Sequence, residues 1–233
     1  MKAPVILAVD TKDLETAKKW IAATQESVSV YKLGLEFFLK FGRDGYKAVT
    51  ENSDSDIFLD LKLHDIPNTV GSATESVADL RPRFLTVHAS GGASMIAAAV
   101  AAAPNVDITA VTILTSLSDS DVGDIGFSHN TLESATNLAQ LSIKAGAKAI
   151  VSSPLEIASI RGAVGDQPII ITPGVRMPGA SGGDDQVRTM SPRDAIKSGA
   201  SFVVIGRPIT GAWKDGASAM SRAALEIAEH ILH

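Results

Sequence analysis

The 233-residue chain, 45% hydrophobic and 20% charged, is long enough to bury a large core and too apolar for disorder. A formal net charge of −5 argues against a nucleic-acid partner, and the absence of cysteine excludes disulfides, thiolate nucleophiles and cysteine-bound zinc. No run approaches the ~18 apolar residues of a membrane span, and Met1-Lys2-Ala3-Pro4 leads straight into an apolar segment, leaving no room for a signal peptide. The expected setting is therefore the cytoplasm, and the expected partner a small molecule.

Short Val/Ile/Leu-rich runs alternate with longer segments whose apolar residues recur at spacings of three and four. In chain order the spacing predicts strand Val5–Val9, helix Leu14–Ala23, strand Val28–Leu33, helix Leu35–Thr50, strand Asp56–Leu61 and helix Val70–Leu80. It continues with strand Phe84–His88, helix Ala93–Ala103, strand Asp107–Ile113, helix Leu132–Ala145, strand Ala149–Ser152 and helix Pro154–Arg161. Strand Pro168–Thr172, helix Ser191–Ser198, strand Phe202–Ile205 and helix Ala217–Leu232 complete the series. Ser191-Pro192-Arg193-Asp194 reads as an N-cap, a first-turn proline and an acid near the helix dipole, with Gly199 as the stop. Eight strand-helix units in one domain, 1–233, fit a (β/α)8 barrel. A doubly wound sheet would ordinarily carry Gly-x-Gly-x-x-Gly after its first strand, where this chain has Asp10-Thr-Lys-Asp-Leu14. Two longer segments are expected as loops: Thr115 to Asn130, and Gly174 to Thr189, whose four glycines suit a lid.

The densest chemistry lies in Asp60-Leu-Lys-Leu-His-Asp-Ile-Pro-Asn-Thr69. Strand alternation puts Asp60 and Lys62 on one face and Leu59, Leu61 and Leu63 on the other, so charges occupy a face where a core is expected. In a (β/α)8 barrel all strand ends meet at one mouth, which gathers Asp10, Lys32, Asp60, Lys62, His88, Thr115, Ser152, Arg176 and Gly206-Arg207. Gly206-Arg207 follows the eighth strand, where barrels commonly bind phosphate. Gln186, beyond the glycine-rich stretch, is placed to close over a ligand. A metal held by Asp60, His64 and Asp65 is disfavoured because Lys62 already supplies positive charge among them. His88 reads as a wall residue, and His64 is left without a role.

These residues resemble the signature of the orotidine 5′-phosphate decarboxylases, with acid, lysine and second acid correctly spaced before Ile-Pro-x-Thr. The likeness extends through Asp10, Lys32-Leu-Gly34, Val87-His-Ala-Ser-Gly-Gly92, Leu114-Thr-Ser116, Thr172-Pro-Gly-Val-Arg176, Asp185-Gln-Val-Arg188 and Ile205-Gly-Arg-Pro208. Leu33 stands where a β-branched residue is usual, and Gly216 where a proline is often seen. The resemblance implies decarboxylation of orotidine 5′-monophosphate without metal or cofactor, with Lys62, Asp60, Asp65 and Lys32 as the catalytic charge array. It further implies that Asp10 and Lys32 meet the ribose, Thr115 the base, and Gln186, Gly206 and Arg207 the phosphate, with Asp60, Thr69 and Arg176 also contacting substrate. Family members are similar in drawing the second acid from a neighbouring subunit, so a homodimer with Asp65 and Thr69 crossing its interface is expected. The nearest rivals resemble 3-keto-gulonate 6-phosphate decarboxylase or hexulose phosphate synthase, which use magnesium. A catalytically silent phosphate-binding barrel is the other alternative.

Overall fold

In the computed structural model, which describes residues 2–51, 53, 55–177 and 190–233, eight parallel strands close on themselves in chain order. They are β1 (Ala3–Ala8), β2 (Val28–Gly34), β3 (Asp56–Leu63), β4 (Phe84–His88), β5 (Asp107–Val111), β6 (Ala149–Val151), β7 (Ile169–Thr172) and β8 (Phe202–Ile205). Val5, Ile6 and Leu7 of β1 pair with Val203, Val204 and Ile205 of β8 and shut the barrel. This is the expected (β/α)8 architecture.

The α-helices are α1 (Leu14–Thr24), α2 (Leu35–Thr50), α3 (Pro67–Ala78), α4 (Ala93–Ala102), α5 (Asp119–Asp124), α6 (Thr131–Lys144), α7 (Ile157–Val164), α8 (Pro192–Lys197), α9 (Arg207–Thr210) and α10 (Ala217–Leu232). Ser191 does cap α8, accepting the Asp194 N–H at 3.1 Å, and Gly199 follows with φ +111°. Three expectations are corrected. The segment expected as a loop from Thr115 contains α5, nucleated by the reciprocal Ser118–Asp121 capping box and tied down by Asp119, which accepts from the Thr131 N–H and hydroxyl. Six residues, fewer than two turns, are too few to show helical periodicity. α2 is interrupted at Gly42, whose φ of +58° breaks the helix that apolar spacing predicts as continuous. Helix α3 starts at Pro67 rather than Val70, because proline is tolerated in the first turn where its missing N–H has no partner to lose. Gly216, the proline substitute, has φ +95°, which a proline ring cannot adopt.

Strand alternation sorts side chains into two layers. Ile6, Val30, Phe58, Phe84, Ala149 and Ile171 form a cluster inside the barrel, while Leu7, Tyr31, Leu59, Leu85, Ile150 and Ile170 belong to the larger core beneath the helices. Burial on both faces is why the strands read as continuous apolar runs. Phe84 meets Phe58 and Phe202 edge-on, with centroids 5.8 and 5.9 Å away, and the three rings make an aromatic floor. Two residues further along each strand the inner face turns polar. Val30 is succeeded by Lys32, Phe58 by Asp60, and Phe84 by Thr86. The floor thus carries the charged layer on top of it.

Candidate active site

Asp60 is only 7% exposed and forms the centre of this layer. Lys62 Nζ lies 2.8 Å from each of its carboxylate oxygens, and Lys32 Nζ lies 3.5 Å from Oδ2. Lys32 in turn reaches Asp10 Oδ1 at 3.3 Å, so the charges run Lys62, Asp60, Lys32, Asp10 in alternating sign. Gly34 permits the last contact, since an added Cβ would stand 3.2 Å from Lys32 Nζ and 3.5 Å from Asp10 Oδ1. Burial alone would push the Asp60 carboxyl up. Lys32 and Lys62, joined by hydrogen bonds from Lys62 and Thr86, outweigh it and hold the group below the ordinary 3.8.

Regular alternation does place Asp60 and Lys62 away from Leu59, Leu61 and Leu63, but the strand between them is not regular. Leu59 pairs with Leu85 and Leu63 with Val87, so Asp60, Leu61 and Lys62 together span what Thr86 alone spans on β4. Lys62 has φ +49° within this bulge. For a residue with a Cβ that conformation costs about 1–2 kcal/mol. The Lys62 N–H donates to Thr86 Oγ1 at 2.8 Å, and the Thr86 hydroxyl donates to Asp60 Oδ1 at 3.0 Å. Nothing in Phe84-Leu-Thr-Val-His88 distinguishes Thr86 from an ordinary β-branched strand residue, and its role emerges only from the pairing of β3 with β4.

Beside the charged layer is a cavity of about 200 Å³ at the carboxyl ends of the strands. Lys32, Asp60 and Lys62 line one side, and Val111, Ile113, Val151 and Val204 contribute an apolar wall. Thr115 and Ser152 also line it. Ser152 Oγ is buried and has no hydrogen-bond partner among the described residues, which leaves it available to a ligand's polar edge. An ammonium held by a buried carboxylate at an apolar wall can stabilise a developing anion and deliver a proton to it.

The other expected residues that the structure describes are not among those lining this cavity. Asp65 and Thr69 are exposed. The Asp65 carboxylate accepts the Ile66 N–H at 2.6 Å and makes no ion pair among the described residues, so within one chain it does not join the charge array. Thr69 lies on the first turn of α3. Arg176 follows β7, with its backbone N–H bonded to Met190 O at 2.9 Å, and is not among the cavity's lining residues. Gly206 and Arg207 directly follow β8, Arg207 opening α9 with its side chain at the surface. Gln186 lies outside the described residues. His88 packs against His64 with ring centroids 5.4 Å apart. Burial, with His64 and Lys62 nearby, holds its imidazole below the usual 6.5. Among the described residues no three His, Cys, Asp or Glu side chains converge as a metal-binding group.

A family profile described as "Orotidine 5′-phosphate decarboxylase / HUMPS family" matches residues 3–223. An orotidine 5′-phosphate decarboxylase of Thermobifida fusca is 49% identical over 224 residues, covering 96% of each chain. One from Frankia casuarinae is 42% identical, covering 96% of this chain and 87% of its own. Among solved structures, an orotidine 5′-phosphate decarboxylase from Lactobacillus acidophilus superimposes with a TM-score of 0.83 at 33% identity, and each chain is covered completely.

Proposed function

Since the chain belongs to the orotidine 5′-phosphate decarboxylase / HUMPS family, we propose that residues 1–233 act as one domain that decarboxylates orotidine 5′-monophosphate to uridine 5′-monophosphate without metal or organic cofactor. It is a carboxy-lyase, and the step belongs to pyrimidine biosynthesis. The observation that carries the finer reading is Lys62 Nζ held at 2.8 Å from both oxygens of the buried Asp60 at the edge of an apolar cavity.

When the bond between C6 and the carboxylate breaks, carbon dioxide departs and the electron pair stays on C6 in an orbital that the ring delocalises poorly. The Lys62 ammonium stabilises that charge and then transfers its proton to C6, leaving an amine that solvent reprotonates. Asp60 holds Lys62 in place and borders the departing carboxylate. Asp10 and Lys32 bind the ribose hydroxyls, while Thr115 and Ser152 face the base. Gly206 and Arg207, with Gln186 and Arg176, bind the phosphate, whose binding energy assists closure over the reacting centre. A spectrophotometric assay with orotidine 5′-monophosphate should give full turnover in EDTA. Activity lost in EDTA and regained with magnesium would instead favour the magnesium-dependent sugar-phosphate chemistry of the family's other branch.

The exposed run His64–Thr69, with Ile66 66% exposed and Asp65 in no ion pair among the described residues, supports a homodimer in which Asp65 and Thr69 complete the neighbour's site. Mixing Lys62→Ala and Asp65→Ala subunits should then restore one native site in each mixed dimer, seen as recovered turnover. Verified mixed dimers without activity would remove Asp65 from a shared site. Among the described residues no helix is long and apolar enough to cross a membrane, and action in the cytoplasm is part of the same proposal.

A further inference from the structure

We infer that Thr86 is the positioning residue that aims Lys62, acting through the β3 bulge although its own side chain touches no part of the cavity. The inference rests on the reading of Lys62 as proton donor. Thr86 is fully buried on the inner face of β4, directly above Phe84 in the aromatic floor. Opposite it, three residues of β3 fill the place of one, so Lys62 lacks the regular ladder partner that strand pairing would supply. Its N–H donates to Thr86 Oγ1 at 2.8 Å instead.

A hydroxyl that accepts one hydrogen bond keeps its own proton to donate. Thr86 spends that proton on Asp60 Oδ1, 3.0 Å away. One oxygen therefore fixes both parts of the pair: the backbone from which Lys62 projects at φ +49°, and the carboxylate that Lys62 Nζ meets at 2.8 Å. A valine of the same shape could satisfy neither group. Without the hydroxyl, the Lys62 N–H would lose its partner, the left-handed conformation would lose a restraint, and Asp60 would be held by the two lysines alone. Lys62 would still be present and charged, but no longer held where the reacting carbon arrives.

Thr86→Val should therefore lower kcat by about 10–100-fold, the usual cost of removing a group that orients a reacting one, while KM changes little because the ribose and phosphate contacts are untouched. Thr86→Ser, which keeps the hydroxyl, should return kcat to within a few-fold of the parent enzyme. Where Thr86→Val is insoluble, Thr86→Ala gives the same comparison by only removing atoms. Parent-like kcat in both hydroxyl-free variants would overturn the inference, as would a serine variant as impaired as the valine one. An inactive Lys62→Ala beside a fully active Thr86→Val would remove the role of Thr86 alone. Retained turnover in Lys62→Ala would remove the proton-donor reading itself.

Discussion

Lys62→Ala should lower kcat on orotidine 5′-monophosphate by at least about 10⁴-fold, because one change removes both the cation beside C6 and the acid that protonates it. A single preorganised charge-stabilising donor is worth roughly 10²–10³ in rate, and a positioned general acid roughly 10²–10⁴. The two contributions come from one group and do not simply multiply, so the lower bound is the safer expectation. KM should change far less, since the residues proposed to hold the phosphate and ribose remain. Stopped or steady-state assays at saturating substrate separate the two parameters. A variant whose kcat stays within about tenfold of the parent would mean that some other group supplies the proton. Among the described residues Lys32 is the alternative cation beside Lys62, 3.5 Å from Asp60 Oδ2.

The parts of this molecule that could be read from its sequence are those set by local rules. Charges at Asp60 and Lys62 stand out because their neighbours Ile57, Phe58 and Leu59 are apolar, and period-2 alternation separates them from the leucines as the core layers do. Lys32 joins them because it follows Val30 by the same two-residue step. The Ser191 cap and the Gly199 stop are likewise local chemistry. The β3 bulge is not local. It arises where β3 and β4 fall out of step, and neither strand alone carries a signal for it. Thr86 is invisible for the same reason, being a favourable strand residue in an apolar strand. Helix α5 is not legible because its six residues, fewer than two turns, show no period. Asp65 and Thr69 are legible as part of the motif, yet within one chain they are exposed, and Asp65 makes no ion pair with the charge array among the described residues.

Asp60→Asn distinguishes two accounts of the same carboxylate. The group sits among Lys32 from β2, Lys62 on its own strand, and Thr86 and His88 from β4, with Asp10 beyond Lys32. Its folded-state pKa is depressed, so the stabilisation it gives is complete above the ordinary carboxylate value and disappears as pH falls through the lower folded value. Asp60 is consequently an anion throughout the neutral and mildly acidic range, and activity lost between pH 5 and 7 must be assigned elsewhere. The amide removes that charge and leaves two ammonium groups without the carboxylate between them. If Asp60 acts by holding Lys62, kcat should fall by about 10²–10³ with KM nearly constant, because an interaction that matters only on the way to the transition state has been weakened. If it acts mainly by repelling the substrate carboxylate, the same variant should bind substrate more tightly, so that KM falls alongside kcat. The positions of Lys62 Nζ, at 2.8 Å from both carboxylate oxygens, and of Thr86, fixing the same carboxylate from below, favour the first result. A parallel fall in KM and kcat would transfer the main role of Asp60 from positioning to ground-state repulsion.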